Sequence, residues 1–172
     1  MTLAKVEVGK TFNIGTMEHI VLEHLPDGKT VCLSKDIVEF MAYDKKKGIY
    51  TNSNIRKYLN SKFLDKLAKE VGAENIIEHT VDLASDEGSK KYGSVQDKVS
   101  LLTCELFRKY HDILEKYNPG RWWWLATPIA VEGWEDCVRA VSDFGMLLYY
   151  YCYYDDGGVR PFYILNSSIS VS

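Results

Sequence analysis

The chain has 172 residues, a formal net charge of −3, 46% hydrophobic residues and 26% charged residues. This composition is close to that of ordinary globular proteins, which argues against wholesale disorder, collagen-like repeats and a coiled coil. The 21 basic residues are balanced by 24 acidic ones and form no strong basic patch, so a nucleic-acid partner is not expected. The length suits one domain over residues 1–172, because domains usually have about 100 to 200 residues.

The cysteines and the N-terminal residues indicate the cellular compartment in which the protein is made. Cys32, Cys104, Cys137 and Cys152 form no CxxC pair, so neither a zinc knuckle nor a thioredoxin motif is present, and free buried thiols are predicted. The first residues, MTLAKVEVGK, lack the basic-then-apolar pattern of a secretory signal. No apolar run approaches the ~18 residues needed to span a bilayer. We expect a protein made in the cytoplasm, without membrane insertion.

The N-terminal third reads as short strands. Residues 11–14, 20–22 and 30–33 are rich in β-forming side chains, and a turn is predicted at 26–29, which has the sequence PDGK. The lysine-rich segment 44–48 is interpreted as a solvated loop.

An amphipathic helix, or two short ones, is predicted next. Apolar residues recur at three and four spacing from Ile55 to Leu67, Ser53 precedes them as an N-cap, and Gly72 marks the end. Another strand is predicted over 76–77 and 79–83, followed by a polar surface loop at 85–94.

The second half combines a helix with further strands. After a short β run at 98–102, a helix begins at Cys104 and is terminated by Asn118-Pro119-Gly120. Strand formers then dominate at 122–125, 137–141, 146–154 and 159–165. Because strands and helices are segregated rather than alternating, the pattern predicts an α+β fold with an antiparallel sheet.

Few side chains have the spacing of catalytic or metal sites. His111 and Glu115 are one helical turn apart, and a solvent-facing pair explains them. Asp155 and Asp156 are adjacent carboxylates of the kind that contact a cation, and Asp143 is a third candidate ligand, but calcium takes six to eight oxygens. The sequence therefore predicts no metal and no cofactor.

Tyrosine is concentrated near the C-terminus, with five of the 12 tyrosines between residues 149 and 154. Successive side chains of a strand point to opposite faces, which predicts two rows, one with Tyr149, Tyr151 and Tyr153 and the other with Tyr150, Cys152 and Tyr154. Either one row is displayed at the surface, or the segment is a loop that displays most of the tyrosines, or the cluster is a tyrosine-rich core or cross-strand ladder. Tyrosine makes contact surfaces at low entropic cost, and Tyr beside Asp, Ser and Gly is typical of a paratope. At least one residue of Trp122–Trp124 should belong to the core.

Four blocks of the sequence resemble a known family. They are YTNSNIRKYLN at 50–60, DKVSLLT at 97–103, WWLATP at 123–128 and GVRPF at 158–162. Together they resemble an uncharacterised bacterial and phage domain family. That family is similar to the C-type lectin-like fold of the formylglycine-generating enzyme and of the variable proteins of diversity-generating retroelements.

The resemblance implies two helices flanking a small twisted antiparallel sheet, with the ligand face formed by the segments before Gly158. In the variable proteins this region is diversified by adenine-directed mutagenesis, in which AAC or AAT codons can become codons for Tyr, Asp, Cys, Phe, Ser or Asn among others. Residues 149–156 contain only Tyr, Cys and Asp. The Glu-Pro-Asn, Gln-Pro-Asp and Trp-Asn-Asp motifs of calcium-dependent lectins are absent, so calcium-mediated sugar binding is not expected.

Our leading hypothesis is a non-enzymatic binding module on a rigid C-type lectin-like scaffold, and its most specific form is a phage-encoded variable protein. The expected partner is a protein or glycan on a host or partner cell, and assembly into a phage particle would explain the absent signal. The candidate ligand-binding residues are Tyr149, Tyr150, Tyr151, Tyr153, Tyr154, Asp155 and Asp156, with Trp134, Asp143 and Phe144 from neighbouring loops. One alternative is an oxidase of the formylglycine-generating type with Cys137 and Cys152 as reactive thiols. Another is an intracellular structural or oligomerisation module whose tyrosines contact another subunit.

Overall fold

The computed structural model describes residues 1–172 and has an α+β architecture. Its strands are β1 (Thr11–Ile14), β2 (Met17–Leu25), β3 (Lys29–Ser34), β4 (Glu39–Phe40), β5 (Ile76–Ile77), β6 (His79–Asp82), β7 (Ser94–Asp97), β8 (Val99–Ser100), β9 (Trp123–Pro128), β10 (Cys137–Val141), β11 (Leu147–Tyr151), β12 (Gly158–Val159) and β13 (Phe162–Asn166). Its α-helices are α1 (Asn54–Tyr58), α2 (Leu64–Val71), α3 (Cys104–Lys109) and α4 (His111–Leu114). No helix has the length and apolar character required to cross a membrane.

The strands form three sheets rather than the single small sheet expected. The largest has the order β1-β2-β3-β13-β5, with β8 also paired to β13. A second sheet has the order β11-β10-β9-β12-β4, and β6 pairs with β7 alone. All pairings are antiparallel except the parallel contact of β12 with β9. The predicted α+β class is thereby confirmed, whereas the sheet arrangement is more elaborate than predicted.

Local sequence signals place the β2–β3 hairpin and the first helix correctly. The predicted turn connects β2 to β3, and its Gly28 has a φ of 76°, a conformation that glycine adopts without steric cost. The Ser53 hydroxyl accepts a 3.2 Å hydrogen bond from the Arg56 backbone N–H and caps α1. A π-helical turn at Leu59–Phe63 joins α1 to α2, which ends at Gly72.

Two predicted elements are interrupted. The second helix breaks at Tyr110, which separates α3 from α4 and has φ −102° and ψ 18°. The predicted strand at 159–165 is divided into β12 and β13, which belong to different sheets. Pro161 lies at this division, and because proline has no N–H it interrupts a hydrogen-bonded ladder.

Strand β9 separates two hydrophobic clusters and is buried along its whole length. Trp124 and Ala126 face the larger cluster of 26 buried residues, while Trp123 and Leu125 face the smaller cluster of 13. A strand covered on both faces has a continuous apolar sequence, as WWLATP has. The second sheet is therefore fixed from both sides at its centre.

His19 provides a pH-dependent contribution to stability. It is fully buried between Phe12 and Tyr163, and burial lowers its pKa to about 4. In the unfolded chain the His19 imidazole is protonated below about pH 6.5, whereas in the folded protein it stays neutral down to about pH 4. The free energy of unfolding therefore falls as the pH drops below about 6.5, and this fall ends near pH 4. We expect the free energy of unfolding to fall by about 2 kcal/mol between pH 7 and pH 5 from this group.

Urea unfolding at several pH values would measure this loss, and His19→Gln should lack it. The imidazole NMR signals of His19 should titrate near pH 4. A midpoint at pH 6 or above would contradict the prediction.

Candidate functional site

The tyrosine-rich segment lies at an exposed edge of the second sheet. Strand β11 pairs with β10 in a register that places Tyr151 opposite Cys137 and Tyr149 opposite Arg139. Because β11 is the last strand of its sheet, one side of its backbone has no strand partner. The predicted strand at 146–154 is shorter than expected, since β11 ends at Tyr151.

Five aromatic side chains around this edge are exposed by two-fifths or more. They form the surface that we call the tyrosine surface: Trp134 (43%), Tyr149 (44%), Tyr151 (42%), Tyr153 (51%) and Tyr154 (40%). The sequence left open whether these rings are displayed or form a core. The structure displays them.

The rings of the tyrosine surface support one another. Tyr153 stacks on Tyr151 with ring centroids 5.3 Å apart and planes 11° apart. The Tyr154 ring packs edge-on against both, at 5.7 Å from each. At the other end of the surface the Trp134 ring meets Tyr149 edge-on at 5.3 Å. These contacts restrict the rotamers of the exposed rings before any partner binds.

Tyr150 connects this surface to the core. It points to the opposite face of β11, is half-buried, and lies 4.1 Å from Trp122 between ring centroids. Trp122 in turn packs edge-on against the fully buried Trp124, at 4.6 Å, and Tyr154 approaches Tyr150 at 6.0 Å. A continuous series of aromatic contacts therefore runs from the core to the surface. The supporting role of Trp122 was not predicted from the sequence, which gave only its membership of a tryptophan triplet.

Desolvation, followed by the charges of Asp143 and Asp156, raises the pKa of Tyr150. Its hydroxyl therefore stays protonated at neutral pH and can donate a hydrogen bond. Asp155 and Asp156 are both exposed in the turn that follows Tyr154, which gives this end of the surface an acidic character.

The three predicted ligand-binding residues that lie in neighbouring loops are not all on the tyrosine surface. Trp134 reaches the tyrosine surface from the β9–β10 connection. Asp143 and Phe144 lie in the turn that joins β10 to β11, next to the pair Val141 and Leu147, whereas Tyr151 lies at the far end of β11. Phe144 is 84% exposed, but it is not among the ring contacts of the tyrosine surface.

The four cysteines are free and buried, as predicted. Desolvation is the main cause that raises the pKa of Cys137 and of Cys152 to about 11, and the nearby Asp136 carboxylate adds to both effects. These thiols remain protonated at neutral pH, which disfavours nucleophilic or redox chemistry.

The predicted histidine and glutamate pair lies on the surface. His111 Nε2 is 3.9 Å from Glu115 Oε2 and His111 Nδ1 is 3.3 Å from Asp112 Oδ1, and all three residues are exposed. Two carboxylates and one imidazole at such a site are explained by solvated side chains, and we assign them no ligand.

A comparison with known families matches the middle of the chain. A family model described as a domain of unknown function, DUF6273, matches residues 27–117, which is just over half of the chain. The chain belongs to the DUF6273 family. No match was found among curated proteins or among solved structures.

The DUF6273 match covers β3 to α4 but ends before β9. Within it lies a polar cluster in which Tyr50 and Arg56 bind the carboxylate of Asp97. The tyrosine surface lies outside the matched residues. The family assignment therefore concerns the supporting half of the fold and not the exposed aromatic edge.

Proposed function

We propose that this protein is a non-enzymatic recognition module that binds a protein or glycan target through the tyrosine surface. The observation that carries the proposal is the set of five exposed aromatic rings at an open sheet edge, packed as one pair (Trp134 and Tyr149) and one group of three (Tyr151, Tyr153 and Tyr154). Monomeric proteins seldom display contiguous aromatic surface without a binding role. Rings already held in place lose little conformational entropy on binding, which favours affinity.

The proposal includes a C-type lectin-like scaffold and, in its strongest form, a phage-encoded variable protein. The α+β architecture with antiparallel sheets is compatible with that scaffold. The exposed residues of 149–156 are all Tyr or Asp, as adenine-directed mutagenesis of AAC or AAT codons would produce. Cys152, the one residue of 149–156 that is neither Tyr nor Asp, is fully buried.

Coding DNA tests the diversified form of the proposal. We expect a nearby near-copy of the stretch encoding residues 134–158, differing only at adenines and located beside a reverse transcriptase gene. Differences should fall in the codons of exposed residues and spare Cys152, whose side chain the core encloses. Differences at random bases, or equally frequent changes in buried codons, would contradict this form.

Binding itself can be measured with labelled protein on a glycan array and on intact cells of a bacterial panel. The variant Tyr151→Ser/Tyr153→Ser should reduce saturable binding at least about tenfold, because stacked aromatic residues dominate interface energetics. The matched control is Phe144→Ser, which alters an exposed aromatic residue beyond the tyrosine surface and should leave binding unchanged. Equal losses in both variants, or no saturable binding by the unaltered protein, would contradict the proposal.

Stability measurements separate contact residues from supporting residues. We expect Tyr151→Ala and Tyr153→Ala each to lower the free energy of unfolding by less than about 1 kcal/mol, because both rings are largely solvated. Tyr150→Ala should cost about 2 kcal/mol, since it removes the packing on Trp122. Chemical unfolding would give these values. A loss above about 3 kcal/mol for Tyr151→Ala would show a core ring rather than a contact ring.

The open edge of β11 favours the second candidate function, self-association. An unpaired strand edge beside exposed aromatic rings can pair with another chain. Sedimentation of the purified protein distinguishes the candidates. A stable dimer that Tyr149→Asp dissociates would support an oligomerisation module, whereas a monomer supports recognition of another molecule. The oxidase alternative gains no support, because Cys137 and Cys152 are buried and protonated.

A further inference from the structure

A cavity of about 190 Å³ lies beneath the β10–β11 turn, away from the tyrosine surface. Its apolar walls include Phe107, Leu114, Trp123 and Val141, all from the smaller core cluster. Phe144 also lines it and is 84% exposed, so the cavity reaches the surface beside this side chain. Five of its ten lining residues are hydrophobic and the others include polar side chains, so the cavity is suited to a small organic molecule that has both an apolar and a polar part.

Arg160 lines the same cavity and is 99% buried. Its Nε donates to the Ser34 carbonyl at 3.2 Å, and its Nη2 donates to the carbonyls of Lys35 at 2.8 Å and Tyr117 at 3.3 Å. Nη1 is buried and has no partner. All acceptors are thus uncharged backbone groups, and the positive charge has no directly bonded carboxylate.

Such an arrangement is energetically unusual, because buried charges are normally paired with opposite charges. The guanidinium carbon lies 4.7 Å from the centre of the Trp123 ring, which provides partial compensation. Desolvation lowers the pKa of Arg160 to about 10, against the opposing influence of Asp36. The group is therefore still a cation at neutral pH.

Trp123 supplies a second unpartnered donor. Its indole Nε1 is buried and makes no hydrogen bond, although the residue lines the cavity together with Arg160. Trp124 provides the comparison, since its Nε1 donates to the Met41 carbonyl at 2.9 Å. Two buried donors without acceptors, one of them charged, call for an acceptor that the chain does not provide.

We propose that the cavity binds a small monocarboxylate with a compact apolar body. The carboxylate would accept hydrogen bonds from Arg160 Nη1 and Trp123 Nε1, and its single negative charge would neutralise the guanidinium. The apolar body would contact Phe107, Leu114 and Val141. A cavity of ~150 Å³ accommodates benzene, so the observed volume suits a ligand of benzoate size.

The acidic residue in the cavity lining is Glu115, which lies there beside His111. Both side chains are 58% exposed, and Glu115 lies 3.9 Å from the imidazole of His111. Water therefore screens the repulsion between Glu115 and a bound anion. The single buried cation and the apolar walls favour a monoanion over a phosphate or a dicarboxylate.

Benzoate is the probe for this proposal. At constant ionic strength, millimolar benzoate should raise the melting temperature of the full chain saturably, whereas benzyl alcohol and chloride should not. The indole N–H NMR signal of Trp123 should shift during the titration, and that of Trp124 should not. If benzoate has no saturable effect, or benzyl alcohol acts equally, the cavity holds only water and the proposal is overturned.

Variants assign the two donors. Trp123→Phe keeps an aromatic wall but removes Nε1, and should weaken benzoate binding about tenfold, because a hydrogen bond to a charged group is lost. The matched control Trp122→Phe, outside the cavity, should bind benzoate as the unaltered protein does. Arg160→Met should abolish binding if it folds; if it does not, Trp123→Phe decides. Unchanged affinity in Trp123→Phe would overturn the proposed carboxylate position.

Discussion

Arg56→Ala is expected to lower the free energy of unfolding by about 3 kcal/mol or more, among the largest effects of any surface-accessible residue. Asp97 is only 4% exposed, and its carboxylate accepts bonds from the Tyr50 hydroxyl at 2.7 Å and from Arg56 Nε and Nη2 at 2.9 and 2.8 Å. Without the guanidinium the buried carboxylate keeps one hydroxyl and no counter-charge. Removing one member of a buried ion pair is costly for this reason.

Urea unfolding of three variants isolates the buried charge as the cause. The neighbouring Lys57→Ala changes an exposed cation on the same helix and should alter stability by less than about 0.5 kcal/mol. Arg56→Ala/Asp97→Asn removes the stranded charge while leaving an acceptor for Tyr50, and should be more stable than Arg56→Ala alone. A double variant less stable than the single one would show that the ion pair is not what matters.

The cluster of Tyr50, Arg56 and Asp97 shows which features of the fold can be predicted from the sequence and which cannot. Ser53 and the apolar spacing from Ile55 to Leu67 predict the first helix correctly, because caps and periodicity are local properties. Arg56 and Asp97 are 41 positions apart, and neither residue type indicates which partner it will find. Contacts of that kind depend on how the sheets assemble, which one sequence does not specify.

The sheet arrangement was harder to predict for a related reason. Residues 159–165 are all compatible with an extended chain, and only Pro161 indicates a discontinuity. The structure uses this point to pass from the second sheet to the first, and Arg160 becomes buried between them. Strand propensity describes extended backbone and does not say which sheet receives it.

The tyrosine surface also combines features that follow from local backbone geometry with features that depend on how the whole chain folds. Alternation along a strand correctly separates Tyr149 and Tyr151 from Tyr150, because it follows from backbone geometry alone. It fails beyond Tyr151, where the chain turns and Tyr154 contacts rings from both faces. Phe144 lies in the β10–β11 turn and makes no ring contact with this surface. Its position depends on the length of the β10–β11 hairpin, which the sequence predicts only approximately.

The segment that carries the tyrosine surface ends at Gly157, which packs so closely on two tryptophans that no side chain would fit there. A Cβ at this position would overlap the indole of Trp124 and lie 2.8 Å from Cη2 of Trp122. The Gly157 carbonyl also accepts a 2.9 Å hydrogen bond from the Met41 N–H. Both indoles belong to the aromatic series that supports Tyr150, so neither can move without disturbing the core beneath the surface.

Gly157→Ala should therefore lower the free energy of unfolding by about 3 kcal/mol, at the upper end of overpacking effects. The adjacent Asp156→Ala, which changes an exposed side chain, should cost less than about 0.5 kcal/mol. Chemical unfolding gives both values, and tryptophan fluorescence should change only in Gly157→Ala. A stable Gly157→Ala protein with unchanged fluorescence would show that the segment is not clamped on the tryptophans. In that case the tyrosine rings would lack the rigid support on which their low entropic cost of binding depends.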